Sequence, residues 1–390
     1  MTEARLLVIS PPCHQPINRA VYRELAERHG VAVHLAVPRR LYVGGRWRNT
    51  EKGTAESYTL SLHEISGTHG RLQRIHGLGD LAFTWKPTHV LIDSDPASMM
   101  VRSAARACRG AKVWALTAEN LPSRPLWEIF EGIAAFSPTH VIAPLLKVAL
   151  RRWVHPQVDH VFTLSQDGSR VMADLGFRGR ATRIPLGFDP AMFCVQDDAR
   201  IEATRQGLGL CAPTVAYFGR LTPEKGVHLL LEALAQIRDR PWHLLLDRFS
   251  DYPTPYVDLL TERVRTLSLQ DRVVFFDARH EQMPDFMNAA DIVVLPSLST
   301  PRWKEQYGRV LPEAMACGKY VIGSDSGAIP EIVAGYGRIF AEGDVSALRD
   351  VLAQLLAGED LKSRRAEISA YAHRELSIRR QAQIWAGLLR

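Results

Sequence analysis

Two cations and two carboxylates stand where their types and spacing would act on a phosphorylated substrate. The first segment reads Val215-Ala216-Tyr217-Phe218-Gly219-Arg220-Leu221-Thr222-Pro223-Glu224-Lys225-Gly226-Val227. A strand ending at Gly219 runs into a helix whose apolar positions Leu229, Leu230, Ala233, Leu234 and Ile237 share one face. Thr222 suits the N-cap and Pro223 the first helical position. Such a helix start presents free N–H groups and a positive dipole end. Arg220 and Lys225 flank that mouth, and the set makes a cradle for a diphosphate. Taken alone, the two cations read equally as solvated surface charges.

The second segment reads Asp291–Ser297, which holds the strand Ile292–Leu295, and after a loop Glu305-Gln306-Tyr307-Gly308-Arg309-Val310-Leu311-Pro312-Glu313-Ala314-Met315-Ala316-Cys317-Gly318. Pro312 is tolerated only in a first helical turn, so the helix begins just before it and ends at Gly318. Glu305 and the Tyr307 and Gly308 amides then lie on a loop, with Glu313 just inside the helix. The eight-position gap, part loop and part helix, sets the two carboxylates on the order of 10 Å apart. Carboxylates accept from vicinal hydroxyls with both oxygens, so one suits a sugar and the other a ribose, with a diphosphate between. Each Glu singly also fits a surface loop or a dipole-favoured helix start.

The elements that must hold these groups alternate along the chain. Short apolar runs at Leu6–Ile9, Ala32–Val37, His89–Ile92, Lys112–Leu116 and His160–Leu164 are separated by amphipathic stretches. The rhythm repeats at Thr214–Phe218, His243–Leu246, Val273–Phe276, Ile292–Leu295 and Tyr320–Ile322. Strands alternating with helices imply α/β architecture with parallel sheets and right-handed crossovers. A chain of 390 residues suggests two such domains. The pattern lapses around residues 185–212, least regular at Asp197-Asp198-Ala199-Arg200, and the linker is expected there.

Taken together, these segments resemble family four of the retaining glycosyltransferases. The family pattern of a Glu, seven residues and a second Glu before Ala-Met-Ala-x-Gly is met by Glu305, Glu313 and Ala314–Gly318. Gly219–Gly226 is similar to its Gly-Arg-Leu-x-x-x-Lys-Gly pattern. Gly323–Ile332 looks like its donor-side glycine loop, and Ile184–Asp189 like the segment closing its first domain. The likeness covers about residues 160–345, and the first 150 residues match only in rhythm.

The resemblance implies a GT-B fold, two Rossmann-like doubly wound domains facing across a cleft. Residues 1–195, joined by the C-terminal helix at about 375–390, would form the acceptor side, and 196–374 the donor domain. It implies that Arg220 and Lys225 bind the donor diphosphate beside Gly219, that Glu313 binds the ribose, and that Glu305 holds the transferred sugar. Gln306, Tyr307, Gly308 and Arg309 would complete the donor site, with Glu305, Arg220 and Lys225 as the catalytic set. No cofactor is implied beyond a nucleotide-sugar co-substrate, for which a UDP-sugar is favoured. No metal is implied, and Asp93-Ser94-Asp95 reads as acceptor-side or structural. A front-face route would let the leaving phosphate accept the acceptor's proton, whereas a hydrolase would need two carboxylates flanking the bond.

The chain departs from that pattern in three places. Asp247-Arg248-Phe249-Ser250 replaces a Gly-x-Gly loop, Pro11-Pro12-Cys13-His14 replaces a Gly pair, and Ala118-Glu119-Asn120 stands where a His is common. His14, Glu119 and Asn120 are the acceptor-side candidates, each with a plain structural reading beside it. A nucleotide-sugar 2-epimerase and a catalytically silent partner of the same fold remain open. The lack of a Gly-x-Gly-x-x-Gly after either leading strand argues against a nicotinamide dehydrogenase.

Charge and cysteine usage bound the partners. Residues 1–200 hold 25 Lys and Arg against 18 Asp and Glu, or +7, and residues 201–390 hold 23 against 24, or −1. A basic first half favours an anionic acceptor, glycan or lipid-linked, or an anionic membrane face. The Leu145–His155 segment, with Lys147, Arg151, Arg152 and Trp153, fits a peripheral membrane contact or a solvated basic face. No nucleic-acid motif is present. The N-terminal residues read as neither signal nor span. Five scattered cysteines at 13, 108, 194, 211 and 317 suit buried free thiols in the cytoplasm.

Overall fold

Strands buried on both faces read as unbroken apolar runs, and such runs form the inner strands of both sheets here. The computed structural model describes residues 4–43, 46–51, 53, 57–67, 70–122, 138–248, 254–357, 361 and 363–390, without the side chains of 138–143. Two compact units result: Met1–Ile184 with Gln381–Arg390, and Pro185–Arg380.

In the first unit the strands lie in the order Arg180–Arg183, His160–Thr163, Lys112–Thr117, His89–Asp93, Arg5–Ile9, Ala32–Pro38, Thr59–His63. Every neighbouring pair is parallel, with Leu7 facing His34 on one side and Val90 on the other. Leu6, Leu7, Val8 and Ile9 are all fully buried. The chain begins mid-sheet and winds outward both ways, so strand order reverses between Arg5–Ile9 and His89–Asp93. Ser10 Oγ donates to Asp93 Oδ2 at 2.9 Å across that reversal. Edge pieces without an apolar run escaped the sequence reading: Thr59–His63, Arg180–Arg183 and the antiparallel hairpin Arg40–Val43 with Arg46–Asn49.

In the second unit the order is Val273–Phe276, His243–Asp247, Thr214–Tyr217, Ile292–Leu295, Tyr320–Ser324, Arg338–Phe340. All pairs are parallel. Numbered along the chain this is 3-2-1-4-5-6, the doubly wound order whose ligands bind beyond the carboxyl ends of the strands at the reversal. Here the reversal lies between Thr214–Tyr217 and Ile292–Leu295.

The expected linker is not one. Asp197 accepts from the Arg200 amide at 2.9 Å and caps the helix Asp198–Gly207. That helix buries no side chain, so it carries no apolar period to read. The units divide at Ile184 and Pro185 rather than near 195. The residues after Pro185 are held by the second unit itself: Ile378 N donates to Phe188 O at 3.0 Å, Asn288 Nδ2 to Cys194 O at 3.0 Å, and Arg365 to Gln196 O at 3.2 Å. For the same reason the chain returns to the first unit at Gln381, later than 375.

All five cysteines are free; Cys13, Cys108 and Cys317 are buried, whereas Cys211 is exposed, contrary to expectation. Among the described residues no helix is long and apolar enough to cross a membrane.

Candidate active site

The reversal point of the second sheet is built from three loops that lock onto one another. After the strand Thr214–Tyr217, the Tyr217 hydroxyl donates to the Arg220 carbonyl at 2.8 Å and pins the turn. Gly219 sits at φ +120°, closed to other residues. The turn Pro223–Lys225 is a single 3-10 turn with no side-chain cap from Thr222. Gly226 then takes a left-handed conformation, and the α-helix starts at Val227, not at Pro223 as expected. Close approach explains the break: a Cβ on Gly226 would run into the Pro296 carbonyl oxygen. Leu298 N also donates to Glu224 O at 2.7 Å, tying this loop to the one after Ile292–Leu295.

That second loop carries Glu305, which is buried. Its Oε2 accepts from Lys225 Nζ at 2.6 Å and from Ser297 Oγ at 2.7 Å. The Lys225 ammonium also lies 5.0 Å from the centre of the Trp303 ring. The third loop follows Tyr320–Ser324. Ser324 Oγ donates to Ser297 O at 2.6 Å, Ala328 N to Glu305 O at 3.2 Å, and a Cβ on Gly327 would strike the Glu305 carbonyl. A buried ion pair contributes little net stability, since desolvation offsets the attraction. Its presence at a sheet reversal therefore points to chemistry.

Arg220 belongs to the same field. Burial pushes the Tyr217 phenol well above its ordinary range, Glu305, Tyr256 and Asp247 push it further, and Arg220 opposes them. The structure thus gathers Gly219, Arg220, Lys225 and Glu305. Gln306 is exposed beside them, and the Tyr307 ring is buried. Gly308 has φ +76°.

Glu313 lies in the helix Val310–Ala316, whose end is a Schellman cap at Gly318: Lys319 N reaches Ala314 O at 3.0 Å and Gly318 N reaches Met315 O at 2.9 Å. Burial raises the Glu313 carboxyl to about 7, against the pull of Arg309 at 3.8 Å. Among the described residues its ion pair is with Arg309 and not with Lys225.

The acceptor-side candidates all lie on the first unit. His14 ends the 3-10 turn Pro11–His14, buried, with Nδ1 3.2 Å from Pro11 O. Burial lowers its pKa, which favours the neutral ring. Glu119 receives Arg71 at 2.8 Å, and the same guanidinium reaches Asp95 at 2.6 Å. Burial raises the Glu119 pKa against Arg71. Asn120 is buried. Asp93 accepts from Ser10 and Asp95 pairs with Arg71. Among the described residues no group of three His, Cys, Asp or Glu is placed to hold a metal. Phe249 and Ser250 of the departing loop lie outside the described residues.

Sequence reasoning missed Ser297, Trp303 and Arg71. Ser297 had a signal, as the residue just past a strand that borders the reversal. Arg71 had none, standing in an irregular stretch whose partners are 24 and 48 positions away.

Residues 212–358 match the family model for group 1 glycosyl transferases. The chain is 31% identical over 225 residues to a D-inositol 3-phosphate glycosyltransferase of Corynebacterium efficiens, covering 53% of this chain and 51% of that protein. It is 30% identical over 215 residues to a mannosylfructose-phosphate synthase of Agrobacterium fabrum, covering 53% and 45%. The chain thus spans about half the length of the curated relatives it matches. Among solved structures, HepE of Anabaena in complex with UDP superposes with a TM-score of 0.70 at 21% identity, over 98% of this chain and 99% of that one. The sucrose-phosphate synthase of Thermosynechococcus elongatus gives 0.71 at 19%, over 99% of each. Residues 212–358 are thus similar to group 1 glycosyl transferases, and the chain has the GT-B fold of two Rossmann-like units.

Proposed function

We propose that the chain transfers a sugar from a nucleoside-diphosphate sugar, UDP favoured, to an acceptor hydroxyl, with retained configuration and without a divalent metal. The observation that carries this is the Lys225–Glu305 pair at 2.6 Å at the reversal of the second sheet, with Arg220 in the same field. In this reading the ammonium and guanidinium neutralise the charge that builds on the departing diphosphate. Fixed charges aimed at a leaving group usually lower such a barrier more than any other single effect. Glu305 already accepts from an ammonium and a hydroxyl, so its lone pairs are poorly placed for attack. It orients the transferred sugar instead. Glu313 receives the ribose hydroxyls. His14, Glu119 and Asn120 serve the acceptor. A UDP complex of HepE is consistent with uracil as the base.

The acceptor, a small molecule, glycan or lipid-linked species, is met on the basic first unit. Exposed Leu145, Leu146, Val148 and Trp153 on the helix Pro138–Val154 support a peripheral contact with a membrane face. Co-sedimentation with phosphatidylglycerol but not phosphatidylcholine vesicles is expected; equal behaviour with both counts against it. Transfer itself is tested by incubating the protein with UDP-sugars, an acceptor panel and excess chelator. Product with the donor's anomeric configuration is expected. Inverted product, activity restored only by magnesium or manganese, or sugar isomerisation without acceptor would each contradict the proposal.

A further inference from the structure

On the first unit, the helix Met99–Ala107 turns Met99, Arg102, Ser103 and Arg106 to one face at helical spacing. Arg74 of the strand Arg74–Ile75 and Trp153 of the helix Pro138–Val154 complete an open pocket of about 510 Å³. Among the described residues three guanidiniums line it and no carboxylate does. Arg71, three positions from Arg74, shows the contrast, since Asp95 and Glu119 both neutralise it. Among the described residues Arg74, Arg102 and Arg106 have no such partner.

Like charges four apart on a helix destabilise it, so Arg102 and Arg106 carry a cost that a bound anion would relieve. Desolvation, and then repulsion from Arg106, lowers the Arg102 pKa. The Arg102 guanidinium carbon lies 3.2 Å from the centre of the Trp153 ring, which fixes its plane and leaves the N–H edge to bind. Ser103 donates its proton to Met99 O at 2.7 Å, so the donors are guanidinium N–H groups. A set of donors alone fits a group of acceptors alone. Phosphoryl oxygens are such a group, and they match forked guanidiniums better than a single carboxylate matches three.

We propose that this pocket binds a phosphoryl group, as monoester or diester, between Arg74, Arg102 and Arg106 and against the Trp153 indole. The site lies on the opposite unit from Lys225 and Glu305 and is independent of the donor reading. The source is either a soluble phosphorylated molecule or a phospholipid headgroup.

The test titrates the full chain with inorganic phosphate and glycerol phosphate by calorimetry, and in parallel with phosphatidylglycerol vesicles. Arg102→Gln with Arg106→Gln is compared with Arg109→Gln, an exposed arginine outside the pocket. Binding weakened roughly tenfold or more in the double variant and unchanged in Arg109→Gln supports the site. Binding of the soluble probes identifies a soluble source, and binding of vesicles alone identifies a headgroup. No binding by any probe, or equal binding by wild type and double variant, overturns the proposal. UDP affinity, measured on the same variants, stays at the wild-type value; its loss only in Arg220→Ala would mark the donor site as separate.

Discussion

At Glu313 burial works against charge, and the consequence can be measured. Its carboxyl is raised from 4.5 to about 7 in the folded chain. Below 4.5 both folded and unfolded forms hold the proton. Between 4.5 and about 7 only the unfolded chain releases it, so stability falls as pH rises, and above about 7 the loss is complete. At ~1.36 kcal/mol per unit the ceiling is about 3 kcal/mol. Glu313→Gln is therefore expected to unfold at higher urea than wild type near pH 8, with the advantage gone near pH 4. A difference constant with pH would contradict this. The same ionisation governs the proposed ribose contact, so wild-type UDP affinity should rise from pH 6 to 8 and the Gln variant should lack that rise. The identities of these residues were legible, because the Glu pair and Ala314–Gly318 form a local pattern. Their partners were not: Lys225 and Glu305 are 80 positions apart, and Ser297 and Trp303 carry no pattern of their own.

At the scale of elements, close backbone contacts join the side-chain ties in setting the geometry of the site. Gly327 has φ +58° and packs its Cα against the Glu305 carbonyl, while Gly226 has φ +67° and packs against Pro296. Gly327→Ala must move the Glu305 loop as well as strain its own backbone, at about 1–3 kcal/mol. A lower melting temperature is expected together with at least tenfold weaker donor binding. A variant that melts lower but binds donor normally would show that this glycine positions nothing. The core strands were readable because their apolar runs are continuous. The helix Asp198–Gly207 was not, having no buried face, and neither was the broken helix start at Gly226, which a close approach from a distant loop dictates.

For the whole molecule, the chain's return to its first unit is the long-range feature. Trp385, fully buried, stacks on Tyr22 with ring centres 5.8 Å apart and meets Phe162 edge-on at 6.0 Å. Trp385→Ala is expected to cost about 3–5 kcal/mol and to fall on the first unit. Since the proposed donor residues lie in the second, UDP affinity should persist at low temperature in that variant. Loss of both together would mean that the units do not fold separately. Charge asymmetry between the halves was legible by counting. That three arginines of the basic half share one pocket was not, because the helix Met99–Ala107 meets Arg74 and Trp153 only in the fold.

The central claim concerns Lys225, Arg220 and Glu305 as one diphosphate-sugar site. Calorimetric titration of UDP into wild type, Arg220→Ala and Lys225→Ala tests it most directly. Saturable binding to wild type, weakened by about one to two powers of ten in each variant, is the predicted result. Wild-type affinity in both variants, or no binding of any nucleoside diphosphate, would contradict it.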